Sequence, residues 1–228
     1  MRERPYYEAY DERYKQVHSQ SLQWFSDSPS PIVCEVISEF QLTQTAKMLE
    51  IGCGEGRDAF HLLSQGYDLL ATDVSAQALA FCRKKKPAYQ ARFRTLNCLT
   101  ETLSQPFDFI YAVAVIHMLV PDEDRSGFYR FIARHLKPDG IALIGSMGDG
   151  SFERSSDIAA AFTLSERMHE GSGKTMHLAG TSCRVVSSAT FVQEIESNGL
   201  TIVKQGITSV EPDFPVMMYA VVKNSQEK

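Results

Sequence analysis

The sequence has few of the features that mark exported, disulfide-bonded or membrane proteins. Its five cysteines are odd in number and never spaced as C-x-x-C, so neither a disulfide framework nor a zinc site is predicted. The first 14 residues are rich in charge and lack the apolar core of a secretory signal. The longest uncharged apolar run, 109–120, is much shorter than the roughly 20 residues that span a bilayer. We therefore expect a cytoplasmic chain with no membrane partner.

Basic residues are outnumbered by acidic ones, 23 Lys and Arg against 28 Asp and Glu, and the formal net charge is −5. Such a chain has no general field that draws it onto nucleic acid, so no nucleic-acid partner is expected. The length of 228 residues and the 43% hydrophobic content fit one globular domain. Repeats and long linkers are absent from the sequence, which favours a single domain over 1–228. No oligomeric state is predicted.

Short apolar runs alternate with segments of helical spacing, which is the βαβ pattern of a mostly parallel sheet. The predicted strands are 48–51, 67–72, 91–96, 107–113 and 141–146, and the predicted helices are 57–65, 75–85 and 122–136. Further on, 155–169 has helical spacing, 170–181 resembles a loop, and 188–198 is a predicted helix. Two β-rich runs, 200–210 and 215–222, then predict an antiparallel pair at one side of the sheet. The fold class is α/β.

A glycine loop follows the first predicted strand and precedes a helix. Gly52 and Gly54 allow a tight turn and a close approach to a ligand, and the helix that begins near Arg57 presents free N–H groups. Asp73 comes 21 residues after Gly52, just past the second strand. A carboxylate at that place accepts hydrogen bonds from both ribose hydroxyls of an adenosine.

Dinucleotides and S-adenosylmethionine both bind to such a loop, and the residues within it distinguish them. The dinucleotide fingerprint requires glycine where this chain has Arg57. Glu50, Glu55 and Asp58 add negative charge that disfavours a pyrophosphate and suits a sulfonium and an ammonium group. Arg57 is a candidate partner for the carboxylate of the methionine part. An NAD(P)-dependent oxidoreductase remains the alternative from another class.

Over 46–145 the sequence resembles the class I S-adenosylmethionine-dependent methyltransferases, and among them the small-molecule type. The motif that carries this resemblance is Glu50-Ile51-Gly52-Cys53-Gly54-Glu55-Gly56, followed by Asp73, by Asn97-Cys98-Leu99 and by the strand 107–113. The resemblance implies a Rossmann-like, seven-stranded, mostly parallel sheet with an antiparallel C-terminal pair and helices on both faces. It implies S-adenosyl-L-methionine as cofactor, S-adenosyl-L-homocysteine as product, and methyl transfer to a small-molecule acceptor by in-line displacement.

The resemblance also assigns roles to residues of this chain. The cofactor would contact Glu50, Gly52, Cys53, Gly54, Arg57, Asp73, Val74, Asn97, Cys98, Leu99 and Ala114. Tyr14 and Trp24, from the aromatic-rich head, are further candidates for contact. His117 is the candidate general base because imidazole titrates near neutral pH and the loop after the fourth strand faces the methyl group. A cofactor-binding module without catalysis is a second alternative.

The chain is accordingly divided into four parts. They are a helical N-terminal cap (1–45), a cofactor-binding core (46–146), a substrate-side insert (147–190) and a C-terminal helix with a strand pair (188–228).

Overall fold

The computed structural model of the protein describes residues 4–169 and 172–225. Its strands are β1 (Lys47–Ile51), β2 (Asp68–Asp73), β3 (Phe93–Thr95), β4 (Phe107–Val113), β5 (Leu136–Met147), β6 (Arg154–Ser155), β7 (Leu164–Met168), β8 (Thr175–Ala179), β9 (Arg184–Val185), β10 (Leu200–Val210) and β11 (Phe214–Asn224). Its helices are α1 (Ala9–His18), α2 (Pro31–Glu39), α3 (Arg57–Ser64), α4 (Ala76–Lys85), α5 (Asp122–His135) and α6 (Ser188–Ser197).

Seven of the strands form one sheet in the order β10-β11-β5-β4-β1-β2-β3. The five strands from β3 to β5 are parallel, whereas β11 pairs antiparallel with both β5 and β10. The chain moves outward from β1 to β3 and then returns to β4 on the other side of β1. This reversal opens a crevice at the carboxyl ends of β1 and β4, where open α/β sheets bind ligands.

Apolar helix faces cover both sides of the sheet. On one side α2, α3 and α4 pack through residues such as Val36, Leu62 and Leu79. On the other side α5 and α6 pack through residues such as Phe128 and Phe191. Each helix buries a stripe at the spacing that the sequence shows, so burial of these stripes holds the helices against the strands. The predicted fold class, including the antiparallel C-terminal pair and the helices on both faces, is confirmed.

The prediction of a helix over 155–169 is wrong. This segment forms β6, a short 3-10 turn over Ile158–Ala160, and β7, which pairs antiparallel with β8. Leu164 and Met168 are 58% and 67% exposed, so the spacing that indicated a helix does not mark a buried face. Pairing with β8, the next strand along the chain, outweighs the local preference.

Two other predicted boundaries differ from the structure. The third strand is shorter than expected because a 3-10 helix begins at Pro87 and continues to Arg92. The fifth strand begins earlier, at Leu136, directly after α5.

The segment before β1 lies across the carboxyl ends of the strands. In α1, Asp11 accepts hydrogen bonds from the Ser75 hydroxyl (2.8 Å) and from the backbone amide of Gln77 (3.0 Å), at the start of α4. On the other side of α1, Arg13 donates to the carbonyl oxygens of Ala179 and Gly180. This segment therefore bridges the sheet end and the insert. The division into four parts of one domain stays a prediction.

Within the described residues, no helix is both long enough and apolar enough to cross a bilayer.

Candidate functional site

The glycine loop between β1 and α3 has backbone angles that only glycine adopts without strain. Gly52 and Gly54 have φ values of 74° and 51°. A Cβ on Gly52 would lie 2.5 Å from Cγ2 of Val115, and one on Gly54 would lie 2.7 Å from the hydroxyl oxygen of Tyr14. Both positions are therefore closed to larger side chains, and the loop forms the floor of a cavity at the strand ends.

Asp73 ends β2 and fixes this loop. One carboxylate oxygen accepts the backbone amide of Gly54 at 2.8 Å, and the other accepts the amide of Ser75 at 2.8 Å. Burial raises the pKa of Asp73, while these two hydrogen bonds act in the opposite direction. The side chain is 8% exposed and lines the cavity. Because each carboxylate oxygen accepts several hydrogen bonds, Asp73 can also accept hydroxyl groups from a ligand.

Glu50, the last-but-one residue of β1, is a buried carboxylate without a cation. It is 5% exposed, and its Oε2 atom has no hydrogen-bond partner. Burial raises the pKa of Glu50 well above its usual range, and the nearby charge of Asp58 adds to the effect. The hydroxyl of Tyr111, which pairs with Glu50 in the sheet register, lies near enough to lower the pKa of Glu50 but forms no hydrogen bond of good geometry. A positively charged donor in the cavity would satisfy this carboxylate.

The other two carboxylates of the loop are already occupied by the N-terminal cap. Glu55 accepts the backbone amides of Trp24 (2.9 Å) and Phe25 (2.8 Å) and contacts Nε2 of His18 (2.8 Å). Asp58 accepts the amide and the hydroxyl of Ser30, at 2.6 and 2.7 Å. The sequence predicts that the charges of Glu55 and Asp58 face a ligand. In the structure, the carboxylate oxygens of both residues mainly hold the cap on the loop.

Arg57 lines the cavity, and the structure gives it a protein partner. Its Nη1 lies 3.1 Å from Asp213, in the turn between β10 and β11. Its Nε has no hydrogen-bond partner and lies 3.9 Å from a carboxylate oxygen of Asp58. The pairing of Arg57 with a ligand carboxylate stays a prediction.

The segment after β3 supplies another wall of the cavity, formed by Asn97, Cys98 and Leu99, with Val74 nearby. The Asn97 side chain accepts the amide of Leu99 at 3.0 Å and donates to the hydroxyl of Tyr7 at 3.0 Å. Its polar atoms therefore shape the loop and secure the cap. Because the amides of Asn97 and Leu99 both donate within the loop, Cys98 supplies the backbone that is left for contact with a ligand.

Of the two aromatic residues predicted from the N-terminal cap, the structure brings only Tyr14 into the cavity. Tyr14 lines it beside the glycine loop, together with Tyr7, Tyr10 and Phe25. Trp24 is not among the lining residues. Its ring packs near His169, with the centroids 6.3 Å apart, and the guanidinium of Arg13 lies 5.1 Å from its centre.

The loop after β4 carries both strain and a buried histidine. Ala114 has a φ of 60°, which is uncommon for a residue with a side chain, and it lines the cavity. His117 is 4% exposed, and its Nδ1 atom has no hydrogen-bond partner. Burial and the charge of Arg125 lower the pKa of His117 to about 4. His117 is not a lining residue, but its ring contacts that of Phe214, which is one, at 5.8 Å.

Comparison with known proteins agrees with this geometry. A family model described as a methyltransferase domain matches residues 49–142. Over 142 residues the chain is 28% identical to the cypemycin N-terminal methyltransferase of a Streptomyces species. The aligned region covers 60% of this chain and 56% of that protein. The chain spans about half the length of the curated relatives it matches.

Solved methyltransferase structures have the same fold. The CcbJ methyltransferase of Streptomyces caelestis aligns with a TM-score of 0.69 and 15% identity, covering 94% of this chain and 99% of that one. The 1,6-didemethyltoxoflavin-N1-methyltransferase of Burkholderia thailandensis aligns with a TM-score of 0.70 and 16% identity, covering 98% and 92%. Residues 49–142 therefore resemble a methyltransferase domain, on a fold shared with solved methyltransferases.

Another neighbour, the glycopeptide N-methyltransferase MtfA, was solved in complex with S-adenosyl-L-methionine and aligns with a TM-score of 0.61 and 17% identity, covering 86% of this chain and 95% of that one. The glycine loop, the carboxylate that ends β2 and the wall after β3 all lie around one cavity, as the sequence motif indicated.

One buried ion pair near the site was missed by the sequence analysis. The guanidinium of Arg125, on α5, donates to both carboxylate oxygens of Glu194 on α6, each at 2.7 Å. It also donates to the carbonyl oxygens of Ile116 and Leu119, which fixes the loop after β4. The sequence did contain a signal, because Arg125 lies on the same helical stripe as the buried Phe128 and Tyr129. A cation on an apolar stripe indicates a buried partner.

Proposed function

We propose that this chain transfers a methyl group from S-adenosylmethionine to a small-molecule acceptor. The observation that carries the proposal is the buried Oε2 atom of Glu50, which has no hydrogen-bond partner and belongs to a residue that lines the same cavity as Asp73 and the glycine turn. A ligand with a ribose and an ammonium group complements both acids. The named relatives include methyltransferases for cypemycin and for 1,6-didemethyltoxoflavin, which supports a small molecule or a peptide as acceptor.

In this proposal each wall of the cavity binds one part of the cofactor. Glu50 accepts the ammonium group, Asp73 accepts the ribose hydroxyls, and the backbone at Cys98, with Val74 and Leu99, encloses the adenine. Gly52, Cys53, Gly54 and Arg57 surround the amino-acid part, and Ala114 and Tyr14 complete the enclosure. When bound, the cofactor supplies a methyl group that is already activated on a sulfonium. The protein therefore has to align the acceptor and exclude water.

His117 is our proposed base. A pKa of about 4 keeps its imidazole neutral at pH 7, which is the state that accepts a proton. Its ring contacts that of Phe214, a residue that lines the cavity, with the centroids 5.8 Å apart. If it acts in this way, His117→Gln lowers kcat for acceptors that must lose a proton and leaves the Kd for S-adenosylmethionine unchanged.

Two further proposals concern location and partners. The cytoplasm is supported by the five cysteines, which are all free in the structure. An acceptor other than nucleic acid is supported by the net charge of −5.

The experiment is turnover of the full chain with S-adenosylmethionine and a panel of small-molecule alcohols, amines and thiols. We expect S-adenosylhomocysteine to form together with an acceptor that gains the mass of one methylene, as detected by mass spectrometry. Asp73→Ala should abolish turnover. Asp68→Ala is the matched control, because Asp68 is at the exposed start of β2 and pairs with Arg92. Cofactor binding without turnover on any acceptor would favour the non-catalytic module instead.

A further inference from the structure

The cavity has two chemically different walls. The charged residues are all at the glycine loop and the ends of β1 and β2, namely Glu50, Glu55, Arg57, Asp58 and Asp73. Apart from Asn97, the rest of the lining is mainly aromatic or apolar and includes Phe25 from the cap, Val115 and Met118 from the loop after β4, and Phe214 from β11. We infer that the methyl acceptor is an uncharged molecule with an aromatic ring, held against Phe25 and Phe214. This inference rests on the proposed function.

The geometry of the aromatic wall formed by Phe25 and Phe214 suits a further ring from the acceptor. The centroids of Phe25 and Phe214 are 5.6 Å apart with an interplanar angle of 33°, and the His117 ring meets Phe214 edge-on at 5.8 Å. These separations are those of favourable aromatic pairs, which prefer offset or edge-to-face arrangements. An aromatic acceptor would extend the cluster with contacts of the same kind.

Both phenylalanines are held in place by the loop that binds the cofactor. The backbone amide of Phe25 donates to Glu55 at 2.8 Å. Phe214 follows Asp213, which accepts Nη1 of Arg57 at 3.1 Å and the hydroxyl of Ser26 at 2.8 Å. Because these contacts fix the aromatic wall before an acceptor arrives, less ordering is required on binding.

Charge in the cavity disfavours an anionic acceptor. Four of the five charged lining residues are carboxylates, and the single guanidinium already pairs with Asp213. A carboxylate or phosphate on the acceptor would therefore be repelled. A cationic acceptor would be repelled by the sulfonium of the cofactor. Glu55 and Asp58 would compensate little for this repulsion, because their oxygens already accept hydrogen bonds from the cap. An uncharged acceptor avoids both penalties.

Two of the three tyrosines that line the cavity, Tyr7 and Tyr10, have hydroxyl groups that are engaged in hydrogen bonds. The hydroxyl of Tyr7 accepts a hydrogen bond from Asn97, and that of Tyr10 donates to the carbonyl oxygen of Ser182 at 2.6 Å. These polar atoms are thus already engaged. This also favours an apolar, ring-shaped acceptor over a highly polar one.

The test compares three probes of similar shape on the complex of the full chain with S-adenosylhomocysteine. They are 2-naphthol, 6-hydroxy-2-naphthoate, which adds a negative charge, and decahydro-2-naphthol, which lacks the aromatic faces. Calorimetric titration should show 2-naphthol binding about tenfold more tightly than either of the others. Equal or tighter binding of the naphthoate, or no binding of 2-naphthol, would overturn the inference.

Variants test whether the preference for 2-naphthol arises from contact with Phe25 and Phe214. Phe25→Leu and Phe214→Leu keep an apolar side chain and remove the ring, so each should reduce the preference for 2-naphthol over decahydro-2-naphthol. Phe152→Leu, which changes a phenylalanine that is 52% exposed and outside the cavity lining, should leave it intact. An unchanged preference in both cavity variants contradicts the inference.

A preceding titration with S-adenosylhomocysteine separates the two proposals. Absence of binding in that titration refutes the proposed function, and this inference with it. Normal binding followed by the wrong order among the probes refutes only the acceptor class.

Discussion

Arg125→Met is expected to destabilise the protein because it removes the cationic centre of a buried contact. The guanidinium is 0% exposed and makes two hydrogen bonds of 2.7 Å to Glu194. It also donates to the carbonyl oxygens of Ile116 and Leu119, at 2.8 and 3.1 Å. Methionine has an unbranched apolar side chain without any hydrogen-bond donor. The variant therefore leaves a carboxylate and two carbonyl groups without this partner.

The size of the effect follows from this geometry. Removing one member of a buried ion pair costs about 3–5 kcal/mol. Because the Glu194 side chain retains 15% exposure and still accepts the hydroxyl of Tyr129 at 3.0 Å, we expect a loss near the lower end of that range. For a domain of this size each kcal/mol lowers Tm by about 2–4 °C, so a Tm decrease of roughly 6–12 °C is predicted.

Urea and thermal unfolding of four proteins test this reasoning: the parent, Arg125→Met, Glu194→Met and the double variant. The double variant should lose less than the sum of the two single losses, because it leaves no unpaired charge. Losses below about 1 kcal/mol, or strictly additive losses, would refute the interpretation that this pair stabilises the fold as a unit.

Three further predictions concern the site itself. Gly54→Ala should lower the free energy of unfolding by at least about 1–2 kcal/mol, because alanine is strained at the positive φ of this position. Adding Tyr14→Phe to the same chain should recover the part of the loss that arises from contact between the new Cβ and the Tyr14 hydroxyl. Urea unfolding of both variants measures the two effects. Folded His117 has a pKa near 4, below its ordinary value of 6.5, so only the unfolded chain takes up this proton between those pH values. Stability should therefore fall as pH falls from about 6.5 to about 4, and His117→Gln should weaken that dependence in pH-dependent unfolding. Glu50→Gln should raise Tm without ligand, because it removes a buried and unpartnered carboxylate, while calorimetry shows weaker binding of S-adenosylmethionine.

Local features of the sequence predicted which residues meet at the ends of β1 and β2. The strand, the glycine turn and the acid that ends β2 are close in sequence, and their spacing fixes their geometry once the strands are parallel. The structure accordingly places Gly52, Gly54 and Asp73 around one cavity.

Features that depend on distant segments could not be predicted in this way. Phe214 reaches the cavity only because β11 is inserted next to β5, and no local pattern around it indicates that position. Glu55 and Asp58 are next to the glycine loop in sequence, yet their oxygens bind the N-terminal cap, whose path depends on tertiary packing. The strand over 164–168 was missed for another reason: its partner β8 is the next strand along the chain, and pairing with it outweighs the helical spacing.

The most direct test of the account is thermal unfolding of the full chain with S-adenosylmethionine, S-adenosylhomocysteine or NADH, in parallel with Asp73→Ala and the surface control Asp68→Ala. A ligand at about 100 times its Kd adds roughly 2.7 kcal/mol to the stability, which corresponds to a Tm increase of about 5–11 °C for a domain of this size. We predict this increase with the two sulfur compounds only, its loss in Asp73→Ala and its retention in Asp68→Ala. Stabilisation by NADH alone, or an undiminished response of Asp73→Ala to S-adenosylmethionine, would contradict the assignment of the cofactor site.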